Sequence, residues 1–195
     1  MCIGAAKSGT TSLFNILRQH PDIYSPSFKE PHFFDVDENY KKGLDWYEST
    51  YYKDCNKKIS IDYTPSYFFN SKAPKRIFNA FGRDMKFVLI LRNPIDRAYS
   101  HYLHSKRDEE ESLTFLQAVA EEDKRLYQYS INNNNILSLR HSYYNQGLYG
   151  VMMERYLEYF SLENFFIIDF ENEFIKNPKE VENKMIGCAA IILTG

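Results

Sequence analysis

The sequence predicts an α/β protein with three layers, in which a mostly parallel central sheet lies between helices. Two continuous apolar runs, residues 86–91 and 165–170, are typical of strands that are buried on both faces of a parallel sheet. Amphipathic helix patterns alternate with these runs and with shorter strand candidates along the chain. A length of 195 residues and a hydrophobic content of 44% fit one domain with a sizeable core.

The elements follow in order from a very short apolar start at residues 1–3, which is a candidate first strand. The other strands are predicted at residues 23–25, 58–62, 86–91 and 165–170. The helices are predicted at residues 12–20, 43–52, 73–81, 95–104, 114–129 and 149–160, with a last helix that begins after Pro178. The asparagine tract at residues 132–135 is predicted to be a loop insertion, and the apolar ending at 186–195 has no predicted partner.

Net charge, cysteine content and the length of apolar runs count against several classes of protein. A formal net charge of −2 gives no global attraction to nucleic acid or anionic membranes, so an anion-binding surface must be local. Three cysteines without metal-ligand spacing argue against a disulfide scaffold. No run reaches the roughly 18 apolar residues of a membrane span, and no signal-peptide pattern is present.

Residues 3–13, Ile-Gly-Ala-Ala-Lys-Ser-Gly-Thr-Thr-Ser-Leu, are interpreted as a strand, a tight turn and a helix start. Gly4 and Gly9 allow the backbone to approach a ligand, and Lys7 adds a positive charge. Outward-pointing N–H groups at the helix start favour an anion. These N–H groups belong to Gly9, Thr10, Thr11 and Ser12. Thr10 stands where the ATP-binding pattern G-x-x-x-x-G-K-[ST] requires lysine, so the lysine has moved to the middle of the loop.

Two other predicted strands also end in polar clusters. Residues 62–67 follow one of them, and Arg92 follows the clearest strand, with Ser100 a little more than one turn into the next helix. Ligands of open α/β sheets bind beyond the carboxyl ends of the strands, so we expect these clusters to converge on the loop. Arg97, in contrast, is interpreted as a helix-surface or structural salt-bridge residue.

Several motifs, in order, resemble those of sulfotransferases that use 3′-phosphoadenosine-5′-phosphosulfate as sulfuryl donor. Residues 4–13 resemble their 5′-phosphosulfate loop, and residues 92–100 resemble their R-x-P-x-x-R-x-x-S segment. Residues 29–34 are similar to the K-E-x-H-F-F segment of the heparan-sulfate-type branch. The resemblance extends from residue 3 to about residue 182. It implies the P-loop-nucleotide-hydrolase-like sulfotransferase fold and sulfuryl transfer to a hydroxyl or amine of a glycan.

The resemblance also implies roles for individual residues. The donor-binding residues would be Lys7, Ser8, Gly9, Thr10, Thr11, Ser12, Arg92 and Ser100. Arg92 and Ser100 would bind the 3′-phosphate, and Lys7 would balance charge on the bridging oxygen as the sulfuryl group leaves. The sulfuryl group carries less charge than a phosphoryl group, so no metal is required, and no ligand spacing supports one.

Glu30 is the general base that the resemblance implies. An attacking hydroxyl or amine must lose a proton, and desolvation by nearby aromatic rings can raise the basicity of a carboxylate. Pro31 is expected to hold Glu30 in an extended conformation. The alternative is that Glu30 only pairs with Lys29 or another cation. His32 is the rival base, although a lone histidine is more often structural.

The sequence departs from the family pattern in two places. Tyr63 replaces a lysine that several relatives have in the active site, which leaves the acceptor open. The Lys-, Gly- and Arg-rich loop that normally follows is absent, so we expect one domain over residues 1–195 that lacks part of the first strand and the C-terminal segment. Tyr149 is interpreted as lining the acceptor side or as helix packing.

The sequence leaves more than one cellular location and more than one function open. The chain is expected to be soluble as given, cytoplasmic if complete and in the Golgi lumen if it is a fragment of an anchored enzyme. The glycine loop alone favours a nucleotide kinase, against which the lysine position and the lack of an obvious metal-binding aspartate count. A truncated relative that binds nucleotide without transfer is the third reading. The sequence does not predict an oligomeric state.

Overall fold

The computed structural model describes residues 1–132 and 135–193. Its strands are short and parallel, and their sheet pairings connect elements that are distant in sequence. They are β1 (Cys2–Gly4), β2 (Ile23–Tyr24), β3 (Ile59–Ser60), β4 (Phe87–Leu91) and β5 (Phe165–Asp169). One sheet has the order β1-β4-β5, and β2 pairs with β3.

The chain just after β3 brings the two sheets together. The N–H group of Cys2 donates to the Asp62 carbonyl at 2.7 Å, and Cys2 forms a parallel bridge with Tyr63. The spatial order is therefore β2-β3-β1-β4-β5, with β1 in the middle. This arrangement, with helices on both faces, confirms the predicted α/β class.

The helices are α1 (Thr10–Leu17), α2 (Asp37–Tyr40), α3 (Leu44–Tyr51), α4 (Ala73–Phe81), α5 (Pro94–Arg107), α6 (Phe115–Ala120), α7 (Glu122–Ile131), α8 (Asn135–Arg140), α9 (Tyr149–Leu157) and α10 (Pro178–Leu193). A single π-helical turn, Phe170–Phe174, follows β5. Pro94 occupies the first turn of α5, and the Asn93 side chain accepts from the N–H groups of Ile95 and Asp96, so the chain turns directly from β4 into this helix.

Side-chain alternation along β4 builds the two halves of the core. Phe87 and Leu89 pack into a cluster with Ile3, whereas Ile90 packs on the opposite face with Cys2. Because successive strand residues point to opposite faces, a continuous apolar run supplies both layers at once. The sheet thus carries a packed layer on each side, and its carboxyl-end loops are left at one edge.

Two expectations about the elements need correction, and the ending that had no predicted partner is helical. The helix predicted at residues 114–129 is two helices, α6 and α7, that meet at Glu121. Asn135 begins α8, and residues 133–134 of the predicted loop insertion lie outside the described residues. The apolar ending continues as helix α10 to Leu193.

Candidate functional site

The loop between β1 and α1 presents backbone donors that the described residues do not use. Gly9 precedes α1 with a φ of 86°, and no side chain caps the helix. The first helical hydrogen bond runs from Leu13 N–H to the Gly9 carbonyl at 3.0 Å. In the described part of the chain, no acceptor takes the N–H groups of Gly9, Thr10, Thr11 and Ser12. A helix start of this kind favours an anion.

Three side chains around the loop are also left with unmet donors. Ser8 Oγ and Arg92 Nε are buried and have no hydrogen-bond partner among the described residues. The Lys7 ammonium has neither an ion pair nor a hydrogen bond within residues 1–132 and 135–185. Burial lowers the pKa of Lys7, and the positive charge of Arg107 lowers it further. We call the loop from Gly4 to Ser12, together with Arg92, the anion cradle.

Arg92 connects β4 to the cradle. Its Nη1 donates to the Lys7 carbonyl at 3.0 Å, and its guanidinium lies over the Phe170 ring, 4.9 Å from the centroid. The Tyr149 hydroxyl donates to the Arg92 carbonyl at 2.9 Å. Arg92 is thus held through Nη1 and through its face on the ring, whereas its buried Nε has no hydrogen-bond partner among the described residues.

The π-helical turn after β5 supports the cradle from below. Phe170 and Phe174 stack with centroids 6.1 Å apart, and a Cβ added to Gly9 would lie 2.8 Å from Phe174. Only glycine fits between this aromatic pair and the helix start. This contact was not predicted from the sequence. The only indication of it there is that aromatic residues continue beyond the end of β5.

Ser100 and Arg97 occupy different faces of α5. Ser100 is half-buried and shares a face with His104 and Arg107, because residues four and seven apart in a helix point the same way. The charge of Lys7 interacts with those of His101, His104 and Arg107, so α5 lies near the cradle. No contact among the described residues joins Ser100 itself to the cradle. Arg97 is fully buried and donates to the Tyr143 carbonyl. The helix-surface interpretation of Arg97 is therefore wrong. Among the described residues it has no ion pair, and its Nε, like that of Arg92, is buried without a hydrogen-bond partner.

Glu30 lies beside the cradle and is linked to it by Lys29. The Lys29 Nζ donates to Glu30 Oε1 at 2.6 Å and to Thr11 Oγ1 at 3.1 Å. The pairing of Glu30 with Lys29 that the sequence left as an alternative is thus present. The same contact also brings the carboxylate next to the first turn of α1.

A chain of polar contacts continues from Glu30 into the protein. His32 Nε2 lies 3.5 Å from Glu30 Oε2, and His32 Nδ1 lies 2.9 Å from Asp35 Oδ2. Ser66, from the polar cluster after β3, donates to the same Asp35 oxygen at 2.5 Å. Lys29, Asp35 and Ser66 were not among the site residues predicted from the sequence.

These contacts set the protonation states of the site. Burial alone would raise the pKa of Glu30, but hydrogen bonds from His32 and Lys29 and their charges outweigh it and bring the pKa to about 2. Burial alone would lower the pKa of His32, but the two carboxylates raise it to about 10. The expected increase in Glu30 basicity is therefore absent, and His32 is an imidazolium held between Glu30 and Asp35.

Comparison with known proteins identifies the family. The family model of the sulfotransferase domain matches residues 1–187. The chain belongs to the sulfotransferase domain family. A sulfotransferase from Alicyclobacillus acidocaldarius has a similar structure, with a TM-score of 0.82 at 32% identity over 97% of this chain and 79% of that one.

Two curated sulfotransferases are similar in sequence. Heparan sulfate glucosamine 3-O-sulfotransferase 5 of Mus musculus is 32% identical over 171 residues, which cover 86% of this chain and 46% of the relative. Heparan sulfate glucosamine 3-O-sulfotransferase 3B1 of Homo sapiens is 33% identical over 181 residues, which cover 90% of this chain and 42% of the relative. The chain spans less than half the length of these relatives.

Two tyrosines of this sulfotransferase domain pack around the cradle. Tyr63 is buried, with its hydroxyl 3.2 Å from Ser25 Oγ and its ring edge-on to Phe14. It therefore belongs to the core below the cradle. Tyr149 packs against Phe68 and holds the Arg92 carbonyl, which agrees with the packing interpretation and connects it to the cradle.

The backbone conformation at Glu30 differs from the extended conformation predicted from the sequence. Glu30 has a φ of 65° and His32 a φ of 51°, so neither is extended. Left-handed backbone at such residues costs about 1–3 kcal/mol and persists only where the surroundings hold it. In this turn Glu30 contacts both Lys29 and His32.

Neither a membrane-spanning helix nor a cluster of metal ligands occurs among the described residues of the sulfotransferase domain. Within residues 1–132 and 135–193, no helix is long and apolar enough to cross a membrane. No three His, Cys, Asp or Glu side chains in that same part of the chain are grouped so that they could hold a metal ion.

Proposed function

We propose that the protein transfers a sulfuryl group from 3′-phosphoadenosine-5′-phosphosulfate to a hydroxyl or amine of a glycan. The observation that carries this proposal is that an anion cradle with unmet donors adjoins a carboxylate, with Lys29 in contact with both Thr11 and Glu30. The similar relatives are named as enzymes that act on heparan sulfate, which supports a glycan acceptor. The family supports the nucleotide donor.

The residues of the cradle fit the two ends of this donor. The free N–H groups at the start of α1, with Ser8 Oγ, suit the 5′-phosphosulfate end. Arg92, with its free Nε, and Ser100 suit the 3′-phosphate. When bound, the donor supplies the sulfuryl group and a phosphate leaving group. Lys7 then balances the charge that develops on the bridging oxygen, and the proposal requires no metal ion.

Glu30 is the group that takes the acceptor proton in this proposal. The acceptor oxygen or nitrogen bonds to sulfur, the bond from sulfur to the bridging oxygen breaks, and the released proton passes to Glu30. His32 is already protonated and pinned between two carboxylates, so it orients the Glu30 carboxylate and is not the base. Asp35 and Ser66 hold His32 in this position.

A labelled-donor assay over glycans, phenols and steroids tests the proposal. We expect transfer to a glycan, and we expect Glu30→Gln to lower the rate by at least about 100-fold because proton removal is lost. Adenosine 3′,5′-bisphosphate should still bind to this variant. Glu38→Gln, at an exposed position on α2, is the matched control and should retain the wild-type rate.

Other outcomes of this assay would contradict specific parts of the proposal. Full transfer by Glu30→Gln would remove Glu30 as the base. Tight binding of the bisphosphate with no transfer to any acceptor would indicate a non-catalytic nucleotide-binding protein. Transfer to phenols or steroids alone would contradict the glycan acceptor.

A further inference from the structure

Lys29 occupies an unusual position between the two parts of the site. Its side chain is only 18% exposed, and its ammonium contacts one group of the cradle, Thr11 Oγ1, and one of the base, Glu30 Oε1. An ammonium has three N–H donors, and these contacts use two of them. Lys29 can therefore shift its attachment between the two groups without leaving the site.

Lys29 contacts the negatively charged Glu30 carboxylate, but its contact in the cradle, the Thr11 hydroxyl, is neutral. Thr11 is exposed on the first turn of α1, and its own N–H group takes no acceptor within the described residues. An anion held by the N–H groups of this turn would lie next to the Thr11 hydroxyl and hence next to the Lys29 ammonium. It would compete with the Glu30 carboxylate for the same cation.

The charges around Glu30 come from two parts of the chain. Its own segment supplies Lys29 and His32, the loop after β1 supplies Lys7, and Asp35 acts from behind His32. His32 is fixed by a carboxylate on each side, and Lys7 has no direct contact with Glu30 in the described structure. Lys29 is therefore the cation near Glu30 with a second, weaker contact toward the cradle.

We propose that Lys29 is a positioning residue that couples donor binding to the base, because an anion in the cradle draws its ammonium away from Glu30. This inference rests on the proposed function for the identity of the anion. Before the donor binds, Lys29 neutralises Glu30 and keeps it a weak base. After the donor binds, Glu30 loses this partner and gains basicity, so proton removal from the acceptor begins only when a sulfuryl group is in place.

A binding cycle tests the coupling without measuring transfer. Calorimetry compares wild type, Lys29→Met, Glu30→Gln and the double variant, with adenosine 3′,5′-bisphosphate and with inorganic pyrophosphate as separate probes. We expect Glu30→Gln to bind each anion about 3- to 10-fold more tightly than wild type, because Lys29 no longer has a competing partner. In the Lys29→Met background, the same Glu30 substitution should change the affinity by less than about twofold.

A second pair of charged residues provides the matched control. Lys72 Nζ contacts Asp37 Oδ2 at 2.7 Å, where α2 meets α4, and neither residue contacts the cradle. Lys72→Met and Asp37→Asn should leave both affinities unchanged. Thermal unfolding of each variant checks that it is folded, and Lys29→Gln replaces Lys29→Met if the methionine variant is not.

A spectroscopic readout separates coupling from a merely structural role of Lys29. The ¹³C signal of the Glu30 carboxylate, followed from mildly acidic to strongly acidic pH, reports its pKa directly. In wild type the pKa should rise when adenosine 3′,5′-bisphosphate binds. In Lys29→Met it should be higher than in wild type before binding and should change little on binding.

The outcomes distinguish this inference from the proposed function. If both anions bind and the two substitutions have additive effects, Lys29 does not couple the sites and the proposed function is unaffected. If only pyrophosphate binds and the effects are non-additive, the coupling is supported and the nucleotide donor is wrong. If neither anion binds, the cradle is not an anion site and both proposals are overturned.

Discussion

The loop from Gly4 to Ser12 and the segment from Lys29 to Asp35 lie side by side, yet they treat their polar groups in opposite ways. The loop leaves N–H groups, the Ser8 hydroxyl and the Lys7 ammonium without partners among the described residues. In the segment, each charged side chain lies within 3.5 Å of an opposite charge, although Asp35 Oδ1 is buried without a hydrogen-bond partner among the described residues.

This difference indicates how each region works. Unmet donors are costly when buried, so they mark the place where a ligand completes the structure. Mutually paired charges position one another and need no ligand to be stable. The loop is therefore suited to binding and the segment to holding a reactive carboxylate, and variants of each region should fail in different assays.

The largest effect is expected from removing the unpaired charge of the loop. Lys7→Ala should lower the rate of sulfuryl transfer by about 100- to 1000-fold, because charge on the leaving oxygen is no longer balanced. Thermal unfolding should change little, since Lys7 has no ion pair to lose in the described structure. Lys75→Ala, at an exposed position on α4, is the control in the labelled-donor assay. Equal rates for both variants would contradict the role of Lys7.

A smaller effect is expected from changing the backbone support of the loop. Gly9 and Gly43 have φ values of 86° and 85°, but an added Cβ at Gly9 meets Phe174 at 2.8 Å, whereas at Gly43 it meets nothing within 4 Å. Gly9→Ala and Gly43→Ala should each cost about 1–3 kcal/mol of unfolding free energy.

Calorimetry separates these two glycine variants. Only Gly9→Ala should weaken binding of adenosine 3′,5′-bisphosphate, by about tenfold, because the clash displaces the helix start that supplies the N–H donors. If Gly43→Ala weakened binding equally, the cradle geometry would not depend on the fit between Gly9 and the aromatic pair.

The smallest effect concerns the paired charges of the segment. The pKa of His32 is raised from 6.5 to about 10, so its contribution to stability is full below pH 6.5 and is lost as the pH rises toward 10. The pKa of Glu30 is lowered from 4.5 to about 2, so its contribution is full above pH 4.5 and is lost as the pH falls toward 2. The joint contribution is greatest between pH 4.5 and 6.5.

Urea unfolding of wild type and His32→Gln measures this contribution. The difference in unfolding free energy should be largest between pH 4.5 and 6.5 and should shrink toward pH 10. We expect only about 1 kcal/mol, because solvent screens the Glu30 pair, in which both side chains are about one third exposed. The glutamine amide can still donate to Asp35, whose side chain is only 1% exposed. A difference that grows with pH would show that His32 is neutral in the folded protein. His20→Gln, which has no carboxylate partner in the described structure, is the control.

Local sequence patterns were sufficient for the elements whose signals are local. Helix α4 spans the predicted residues because Pro74 stands at its start and Gly82 ends it with a φ of 73°. Strand β4 matches because its run is buried on both faces. The turn before α1 was predictable for the same reason, since Gly4 and Gly9 mark it locally.

Features that depend on distant partners could not be predicted in this way. The break between α6 and α7 coincides with the buried Glu122, whose carboxylate accepts the N–H groups of Tyr143, Tyr144 and Asn145 at 2.7–2.8 Å. The raised pKa of His32 depends on Asp35, which contacts the ring from the far side. No pattern within residues 29–34 contains either contact.

Calorimetry of the wild-type protein with adenosine 3′,5′-bisphosphate and with ATP tests the central claim that the cradle holds a phosphosulfate donor. We predict that the bisphosphate binds more tightly than ATP and without added magnesium. Arg92→Lys should remove most of this preference, because lysine cannot stack on Phe170 and present a second donor. Tighter, magnesium-dependent binding of ATP would contradict the claim and favour a nucleotide kinase.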